Sequence, residues 1–201
     1  MSNLAVLVRR LVEIGAIRFG EFTLKSGISS PFYIDLRVVI SFPDVLRAIG
    51  SLMAGLVARC GGDRIAGIPY AGLPLAVATS LAGNVPLIYP RREEKAYGTK
   101  RRIEGLFTPG ERVVLIDDII TDGASKFEAI QALEEAGLVV RDLVILIDRE
   151  QGGRELLASK GYTLHSVLTI SRCFDEWERA GLVDAALLRQ SREFIRAARF
   201  A

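Results

Sequence analysis

Apolar residues follow two different spacings along this chain. Within residues 4–12, leucine and valine recur every three or four positions, which predicts an opening helix. Residues 17–37 are rich in β-forming residues interrupted by glycine, and we expect short antiparallel strands there. A second helix should run from Pro43 to about Cys60, because proline is favoured in the first turn of a helix.

From residue 64 onwards, short apolar runs alternate with helical patterns. We expect strands at Arg64–Ile68, Pro86–Tyr89, Arg112–Asp118, Val139–Ile147 and Tyr162–Leu168. We expect helices at Leu73–Leu81, Ala124–Ala136, Glu155–Lys160 and residues 184–199, the last capped by Asp184. This alternation predicts an α/β fold with a parallel sheet covered by helices on both faces. Ligands of such sheets bind beyond the carboxyl ends of the strands. Four loops hold that position: residues 69–72, 91–105, 119–125 and 148–153.

One of these loops combines carboxylates with small and hydroxyl residues. Residues 113–125 read Val-Val-Leu-Ile-Asp-Asp-Ile-Ile-Thr-Asp-Gly-Ala-Ser. Asp117 and Asp118 stand at the strand end, where they can accept hydrogen bonds from sugar hydroxyls. The main-chain N–H groups that follow lie at a helix start, and such groups bind phosphate. The small and hydroxyl residues that allow close approach are Thr121, Gly123, Ala124 and Ser125.

Two other loops carry positive charge. The segment from Arg91 to Arg102 holds four arginines and two lysines, which suits a polyphosphate, although a solvated surface loop explains the composition equally well. Arg149 follows an apolar strand and could grip a carboxylate with two parallel hydrogen bonds. The alternative for Arg149 is a strand-terminating salt bridge with Asp148 or Glu150.

The segment around Lys25 offers an anionic ring both a charge and a stacking face. Lys25 lies in an otherwise uncharged turn, and Phe32 and Tyr33 follow it closely. For Phe32 alone, a place in the core is the better interpretation. Residues 68–74 form a loop interrupted by proline and glycine, whose free N–H groups could hold a second phosphate.

Composition narrows the class of protein. A chain of 201 residues, half of them hydrophobic, suits one domain with a sizeable core. The net charge of +2 implies no strong surface for polyanions, so we expect no nucleic-acid partner. Cys60 and Cys173 are far apart, and we expect buried free thiols in a reducing cytosol. No signal peptide and no apolar run of membrane-spanning length is evident, and the single histidine, His165, has the setting of a structural residue.

The stretch at 113–125 resembles the phosphoribosyl pyrophosphate (PRPP) motif of the type I phosphoribosyltransferases, with Asp122 where the family usually has a small or hydroxyl residue. The region from about Phe19 to Ser171 is similar to orotate phosphoribosyltransferases, and closest to the transferase half of bifunctional uridine monophosphate synthases. The other motifs that carry the similarity are Leu-Lys-Ser-Gly, Ser-Pro-Phe-Tyr-Ile-Asp-Leu-Arg, Lys-Ala-Tyr-Gly-Thr-Lys and Asp-Arg-Glu-Gln-Gly-Gly. The resemblance implies the type I phosphoribosyltransferase fold in one domain over residues 1–201. A small hood would come from about residues 1–40 and parts of the C-terminal region.

The resemblance also implies an activity. Orotate phosphoribosyltransferases are glycosyltransferases of uridine monophosphate (pyrimidine) biosynthesis that join orotate to PRPP, giving orotidine 5′-monophosphate and pyrophosphate. They use Mg²⁺, which would be held mainly through the pyrophosphate and waters, with no direct protein ligand. We therefore expect a cytoplasmic homodimer in which loop 91–102 completes the neighbouring subunit's site.

The family's functional residues map onto this sequence by position. Lys95 matches the catalytic lysine of the mobile loop, which acts on the pyrophosphate. The implied PRPP-binding residues are Arg91, Arg92, Lys95, Tyr97, Asp117, Asp118, Ile119, Ile120, Thr121, Asp122, Gly123, Ala124, Ser125, Tyr70 and Ala71. The implied orotate-binding residues are Lys25, Tyr33, Thr121 and Arg149. Tyr97 replaces a histidine of many bacterial members, Ala96 replaces a common aspartate, and Ala71 replaces a lysine of some members. We expect Asp122 to offer its N–H to the 5′-phosphate while its carboxylate faces solvent.

Two alternatives stay open at this stage. One is a phosphoribosyltransferase acting on uracil or a purine, and Lys25 and Arg149 argue against it because a neutral base needs no cation. The other is a non-catalytic regulator that senses PRPP and binds nucleic acid. The near-neutral net charge and Lys95 argue against that class, whereas Asp122 and Ala96 leave it open.

Overall fold

The computed structural model describes residues 3–23, 27–91 and 102–197, which form a six-stranded sheet between helices and a separate two-stranded ribbon. The strands are β1 Ile17–Thr23, β2 Ser29–Ile34, β3 Arg64–Gly67, β4 Leu87–Pro90, β5 Ile103–Glu104, β6 Arg112–Ile120, β7 Val139–Asp148 and β8 Thr163–Thr169. The helices are α1 Asn3–Glu13, α2 Pro43–Cys60, α3 Gly72–Gly83, α4 Lys126–Glu135, α5 Gly153–Ser159, α6 Ile170–Arg179 and α7 Ala185–Ala197, with a 3-10 helix at Leu36–Ser41.

The order of the strands fixes where a ligand can bind. The central sheet runs β5-β4-β3-β6-β7-β8, and its pairs are parallel except for β5 with β4. From β3 the chain proceeds outward to β4, and from β6 it proceeds outward in the opposite direction to β7 and β8. The boundary between β3 and β6 is therefore the point where the strand order reverses, and open α/β sheets bind ligands at such a point. The expected α/β class is confirmed.

Strand β6 contributes side chains to two cores, one on each face of the sheet. Val114 and Ile116 are buried on the side of α2 and α3, whereas Val113 and Leu115 are buried on the side of α4. Successive residues of a strand point to opposite faces, so a strand covered on both sides is apolar throughout. This explains why the sequence pattern identified β6 without ambiguity.

The two-stranded ribbon of β1 and β2 packs against the helices at both ends of the chain. The ring of Phe32 on β2 lies 5.5 Å from Phe174 of α6 and 6.1 Å from Phe194 of α7, measured between ring centroids. Trp177 of α6 donates a hydrogen bond from Nε1 to the carbonyl of Val8 in α1, at 2.9 Å. Phe32 is fully buried, which confirms its interpretation as a core residue.

The structure departs from the expected elements in several places, and the short strand β5 lies inside the segment 91–105 that was expected to be a loop. Helix α6 was not expected, although Thr169 caps it by accepting a hydrogen bond from the N–H of Arg172. Residues 36 and 37 belong to the 3-10 helix rather than to a strand, because the Asp35 side chain accepts from the N–H of Arg37 and turns the chain. Strand β6 continues to Ile120, two residues beyond its expected end.

Both cysteines are buried and free, as expected. Burial raises the pKa of Cys60 to about 11 and that of Cys173 to about 12, so both thiols are protonated at neutral pH. Across residues 3–23, 27–91 and 102–197, none of the helices has the length and apolar character that crossing a membrane requires.

Candidate functional site

Two of the expected loops meet where β3 and β6 end. The N–H of Ile68 donates to the carbonyl of Ile116 at 2.9 Å, which extends the pairing of the two strands to the loop. Gly72 begins α3 directly against Asp117: a Cβ at that position would lie 2.9 Å from Asp117 Oδ1 and 2.8 Å from the Ile116 carbonyl oxygen. Tyr70 stands exposed on this loop after a cis peptide bond. The loop at 69–72 and the acid pair of β6 therefore lie side by side at the carboxyl ends of β3 and β6.

Both carboxylate oxygens of Asp117 have partners within the protein. Its carboxylate is buried, Oδ1 accepts the N–H of Asp118 at 2.9 Å, and Oδ2 forms an ion pair with Nζ of Lys126. Lys126 is itself only 6% exposed. The role expected for Asp117, to accept hydrogen bonds from a sugar, stays a prediction, and in this structure both of its oxygens already have partners.

Asp118 is the less enclosed member of the pair. Its Oδ1 accepts the N–H of Ile119 at 2.8 Å. Burial raises the pKa of Asp118, and the charge and hydrogen bond of Asp117 raise it further, to about 7, against the opposing effect of Lys126. Near neutral pH, Asp118 is therefore divided between its neutral and its charged form.

The turn that follows β6 packs closely against Gly153 at the start of α5. Gly123 has a positive φ of 83°, which suits glycine, and a Cβ there would lie 3.2 Å from the carbonyl oxygen of Gly153. The N–H of Gly153 in turn donates to the carbonyl of Thr121 at 3.0 Å. Within the described ranges, the N–H groups of Gly123 and Ser125 have no internal acceptor; Ser125 is exposed, whereas Gly123 is buried.

Asp122 behaves partly as expected. Its side chain is exposed, but Oδ1 also turns back and accepts the N–H of Ala124 at 3.1 Å. The N–H of Ala124, one of the predicted phosphate donors, thus already donates to a carboxylate oxygen. The N–H of Asp122 itself remains a predicted phosphate contact.

Arg149 lies beside the same turn and is partly buried. Its N–H donates to the carbonyl of Ile120 at 3.0 Å, and its guanidinium lies over the ring of Phe32, 5.5 Å from the centroid. Nε is buried and has no hydrogen-bond partner among the residues that the structure describes. Burial also holds the pKa of Arg149 below its ordinary value.

The neighbours of Arg149 are already paired with other residues. Asp148 accepts two hydrogen bonds from Arg154, at 3.2 and 3.0 Å. Glu150 accepts the N–H of Ser171 at 2.8 Å. Among the described residues, Arg149 forms no salt bridge with either acid, so that alternative is wrong.

The β1–β2 ribbon and the 3-10 helix that follows it carry an aromatic ring, Tyr33, and two further arginines, Arg18 and Arg37. Tyr33 is half-buried, and the guanidinium of Arg18 lies 5.5 Å from its ring centroid. Arg37 forms a two-point ion pair with Asp35, which raises the pKa of Arg37, and the charge of Asp118 adds to this effect. Arg37 thus lies close enough to Asp118 for their charges to interact.

The long charged loop is described only at its base. Arg91 donates from its main chain to the carbonyl of Arg102 at 2.8 Å, and its guanidinium pairs with Glu104 at 2.8 Å. Four predicted site residues lie outside the described part of the chain, and their roles stay predictions: Lys25, Arg92, Lys95 and Tyr97.

Lys126 is the participant that sequence reasoning missed. The pattern placed it inside the helix expected at 124–136, as an ordinary helical residue. Because the amino end of a helix carries positive partial charge, a cation in the first turn is unfavourable unless it has a partner. That position was the signal that pointed to an acid nearby, and the acid is Asp117.

A group of possible metal ligands lies elsewhere. Among the residues that the structure describes, Cys60, Asp142 and His165 form the one such group of three, towards the amino ends of the strands. Asp142 already accepts from His165 Nε2 at 2.8 Å and lies 3.6 Å from Arg112. These contacts agree with the structural role expected for His165.

Comparisons with known proteins place this geometry in context. No protein-family model matches the chain. The orotate phosphoribosyltransferase of Thermococcus gammatolerans is 38% identical over 174 residues, which are 86% of this chain and 92% of that protein. The uridine 5′-monophosphate synthase of Bos taurus is 40% identical over 96% of this chain, and the chain spans only 40% of that relative's length. The crystal structure of orotate phosphoribosyltransferase from Aeropyrum pernix superimposes with a TM-score of 0.75 at 33% identity, over 89% of this chain and 99% of that one.

Proposed function

Because the chain belongs to the orotate phosphoribosyltransferase family, we propose that it transfers the phosphoribosyl group of PRPP to orotate, giving orotidine 5′-monophosphate and pyrophosphate. One observation carries the proposal. The acid pair, the turn that follows it and the partly buried Arg149 all lie at the carboxyl ends of β6 and β7, beside the point where the strand order reverses.

The phosphoribosyl part of the substrate fits the β6 end. The N–H groups of Gly123 and Ser125, which have no acceptor among the described residues, suit the 5′-phosphate, with hydroxyls from Thr121 and Ser125 as additional donors. Asp118, whose carboxylate is less engaged than that of Asp117, suits the ribose hydroxyls. Tyr70 and Ala71 lie on the neighbouring loop 69–72, which follows β3, and the pyrophosphate would extend towards that loop.

The orotate carboxylate fits Arg149. An isolated cation is costly to bury, and a bidentate pair with a carboxylate would offset that cost. The ring of Phe32 stabilises the guanidinium from one side and holds it in place. Tyr33, Thr121 and Lys25 are assigned to the same pocket by family resemblance.

The chemistry demands charge stabilisation more than proton transfer. The orotate ring nitrogen loses its proton to solvent and forms a bond to the anomeric carbon, while the bond from that carbon to the pyrophosphate oxygen breaks, with both electrons leaving on the pyrophosphate. Lys95, Arg91 and Arg92 are assigned to neutralise that leaving charge. Arg149 holds the attacking ring in line.

Magnesium fits this site as a partner of the substrate. When bound, it would neutralise pyrophosphate charge through substrate oxygens and waters. The buried ammonium of Lys126 on Asp117 makes that carboxylate unsuitable as a direct metal ligand. The three-residue group at Cys60, Asp142 and His165 lies too far along the strands to serve the reaction.

We also propose a two-fold dimer in which loop 91–102 reaches the partner's site. Large apolar side chains are exposed on α3 and beside β5, with Leu81 80% and Leu106 83% exposed, and a second copy would cover them. The hood would be the β1–β2 ribbon with α1, α6 and α7, which pack on one another. Buried free thiols at Cys60 and Cys173 suit a reducing compartment, and we place the enzyme in the cytoplasm.

Subunit mixing tests the shared site. Lys95→Ala and Asp118→Asn should each be nearly inactive alone. After subunit exchange, about half of the dimers are mixed, and each has one site with both residues intact, so about a quarter of wild-type activity should return. Absence of recovery, despite demonstrated exchange, would mean that the loop closes over its own site.

Substrate choice tests the proposed function. The loss of orotate absorbance in the presence of PRPP and Mg²⁺ should be rapid, whereas uracil, hypoxanthine and adenine should give kcat/KM values lower by about 10⁴-fold, because they leave Arg149 without an anion. Arg149→Met, which keeps an unbranched apolar stem but removes the charge, should abolish most of this preference. Comparable turnover of uracil or a purine by the wild type would overturn the assignment to orotate.

A further inference from the structure

Lys126 stands where a lysine is unfavourable on two grounds. It is the first residue of α4, where the partial charge of the helix end repels a cation. It is also buried, and a buried ammonium is costly unless it is paired. The ion pair with Asp117 satisfies it, and this pair lies directly beneath the turn that is assigned to the phosphate.

The contacts of Asp117 connect Lys126 to Asp118. Oδ2 of Asp117 binds Lys126, and Oδ1 accepts the N–H of Asp118. Gly72 closes the third side, since its backbone leaves no room for Asp117 to turn away. The lysine therefore fixes the orientation of Asp117, and Asp117 fixes the main chain from which the Asp118 side chain extends.

Other charges near the pair are few. Arg37 of the 3-10 helix faces Asp118 closely enough to interact with its charge, while Arg37 itself is paired with Asp35. On β7 the register partner of Asp117 is Ile145, which is apolar, and α3 contains no titratable residue. Within the described residues, Lys126 is thus the one cation in direct contact with the acid pair.

We propose that Lys126 is a positioning residue for phosphoribosyl transfer: its ammonium holds Asp117 as a fixed carboxylate, so that Asp118 is the acid that meets the ribose hydroxyls. This inference rests on the proposed function. It assigns different roles to two adjacent acids that the sequence alone treats as equivalent.

Removal of the lysine charge should leave two adjacent carboxylates without a counter-charge. The pKa of Asp118, already about 7 with Lys126 present, would then rise further, because Lys126 is what lowers it. Loss of an opposite charge at this range raises a carboxyl pKa by about 1 to 3, so the ionised fraction of Asp118 at pH 7 should fall about fivefold or more. kcat/KM for PRPP should fall by the same factor and recover as the pH is raised.

The test compares the pH profile of kcat/KM for PRPP in the wild type, Lys126→Met and Lys160→Met. Lys160 is the other lysine in the described part of the chain; it is exposed at the end of α5, so its variant should reproduce the wild-type profile. The acidic limb of Lys126→Met should move to higher pH. A Lys126→Met profile that superimposes on the wild type would overturn the proposal. A wild type that does not turn over orotate would instead refute the proposed function.

A second readout does not depend on turnover or on the single variant being stable. Carbon-13 NMR titration of the Asp118 carboxyl in the free protein should give a higher pKa in Lys126→Met than in the wild type. The double variant Asp117→Asn/Lys126→Met leaves no unpaired buried charge, so it should fold, and it should lower the Asp118 pKa because the stronger effect of Asp117 is also gone. Shifts in opposite directions support the proposal, and an Asp118 titration that is the same in all three proteins contradicts it.

Discussion

Gly153 packs against the turn that follows β6, to which we assign phosphate binding, and its replacement by alanine tests how closely that turn is packed. A Cβ at Gly153 would lie 2.6 Å from Ile120 Cγ1 and 2.7 Å from the carbonyl oxygen of Thr121. Ile120 is fully buried, and the Thr121 oxygen is main chain that already accepts the N–H of Gly153. Neither atom has room to yield, so the turn itself must move.

The magnitude follows from two opposing terms. Overpacking of this kind costs about 1–3 kcal/mol. The greater helix propensity of alanine at the start of α5 offsets up to about 1 kcal/mol of that cost. We expect a net loss of about 1–2 kcal/mol in the free energy of unfolding. For a chain of this length, this loss lowers Tm by about 2–8 °C.

The assay measures thermal unfolding and, in parallel, the KM for PRPP, which should rise because the turn is displaced. Gly55→Ala is the matched control: the same substitution in the interior of α2, where a Cβ would meet nothing within 4 Å. It should raise stability by about 0.5–1 kcal/mol and leave KM unchanged. If Gly153→Ala were as stable as the wild type, with an unchanged KM, close packing of Gly153 against Ile120 and Thr121 would be refuted.

Three further substitutions test separate parts of the site and fold. Asp122→Ala should leave the KM for PRPP unchanged or lower it, because it frees the N–H of Ala124; a large rise would reveal a side-chain role. Asp118→Asn should stabilise the protein at pH 8 and progressively less as the pH falls towards 4. The raised pKa of Asp118 makes the folded wild type lose stability as the pH rises between 3.8 and about 7. The Tm values of the two proteins should therefore approach each other as the pH falls. If the pKa of Asp118 were ordinary, the difference between the two Tm values would stay constant. Trp177→Phe removes the hydrogen bond from Nε1 to the carbonyl of Val8, which lies inside α1, and should cost about 0.5–1.5 kcal/mol in urea unfolding without altering KM; an unchanged unfolding midpoint would contradict the contact.

Much of the fold could be predicted because its strands are buried on both faces. A strand such as β6 then appears in the sequence as an uninterrupted apolar run, and the carboxylates at its end are conspicuous against it. Helix α6 escaped detection although its buried residues have helical spacing, because β8 passes into it with no glycine or proline between them. A cap by Thr169 alone is a weak signal of a boundary.

The residues of the candidate site could be proposed from the sequence, but the contacts among them could not. The sequence brought Asp117, Asp118 and the small residues of the turn together, since they are adjacent in the chain. The sequence could not assign different roles to Asp117 and Asp118, because that assignment depends on the ion pair between Asp117 and Lys126 of α4. It also could not place Phe32 under Arg149, since those residues meet only when the ribbon packs beside the sheet.

The most direct test of the account is a product analysis of the protein with orotate, PRPP and Mg²⁺. Chromatography and phosphorus NMR should show orotidine 5′-monophosphate and pyrophosphate in equal amounts, each matching the orotate consumed. Binding of PRPP with no product formed would contradict the account and favour a non-catalytic sensor, and nucleotide formation from uracil or a purine at a comparable rate would contradict the choice of substrate.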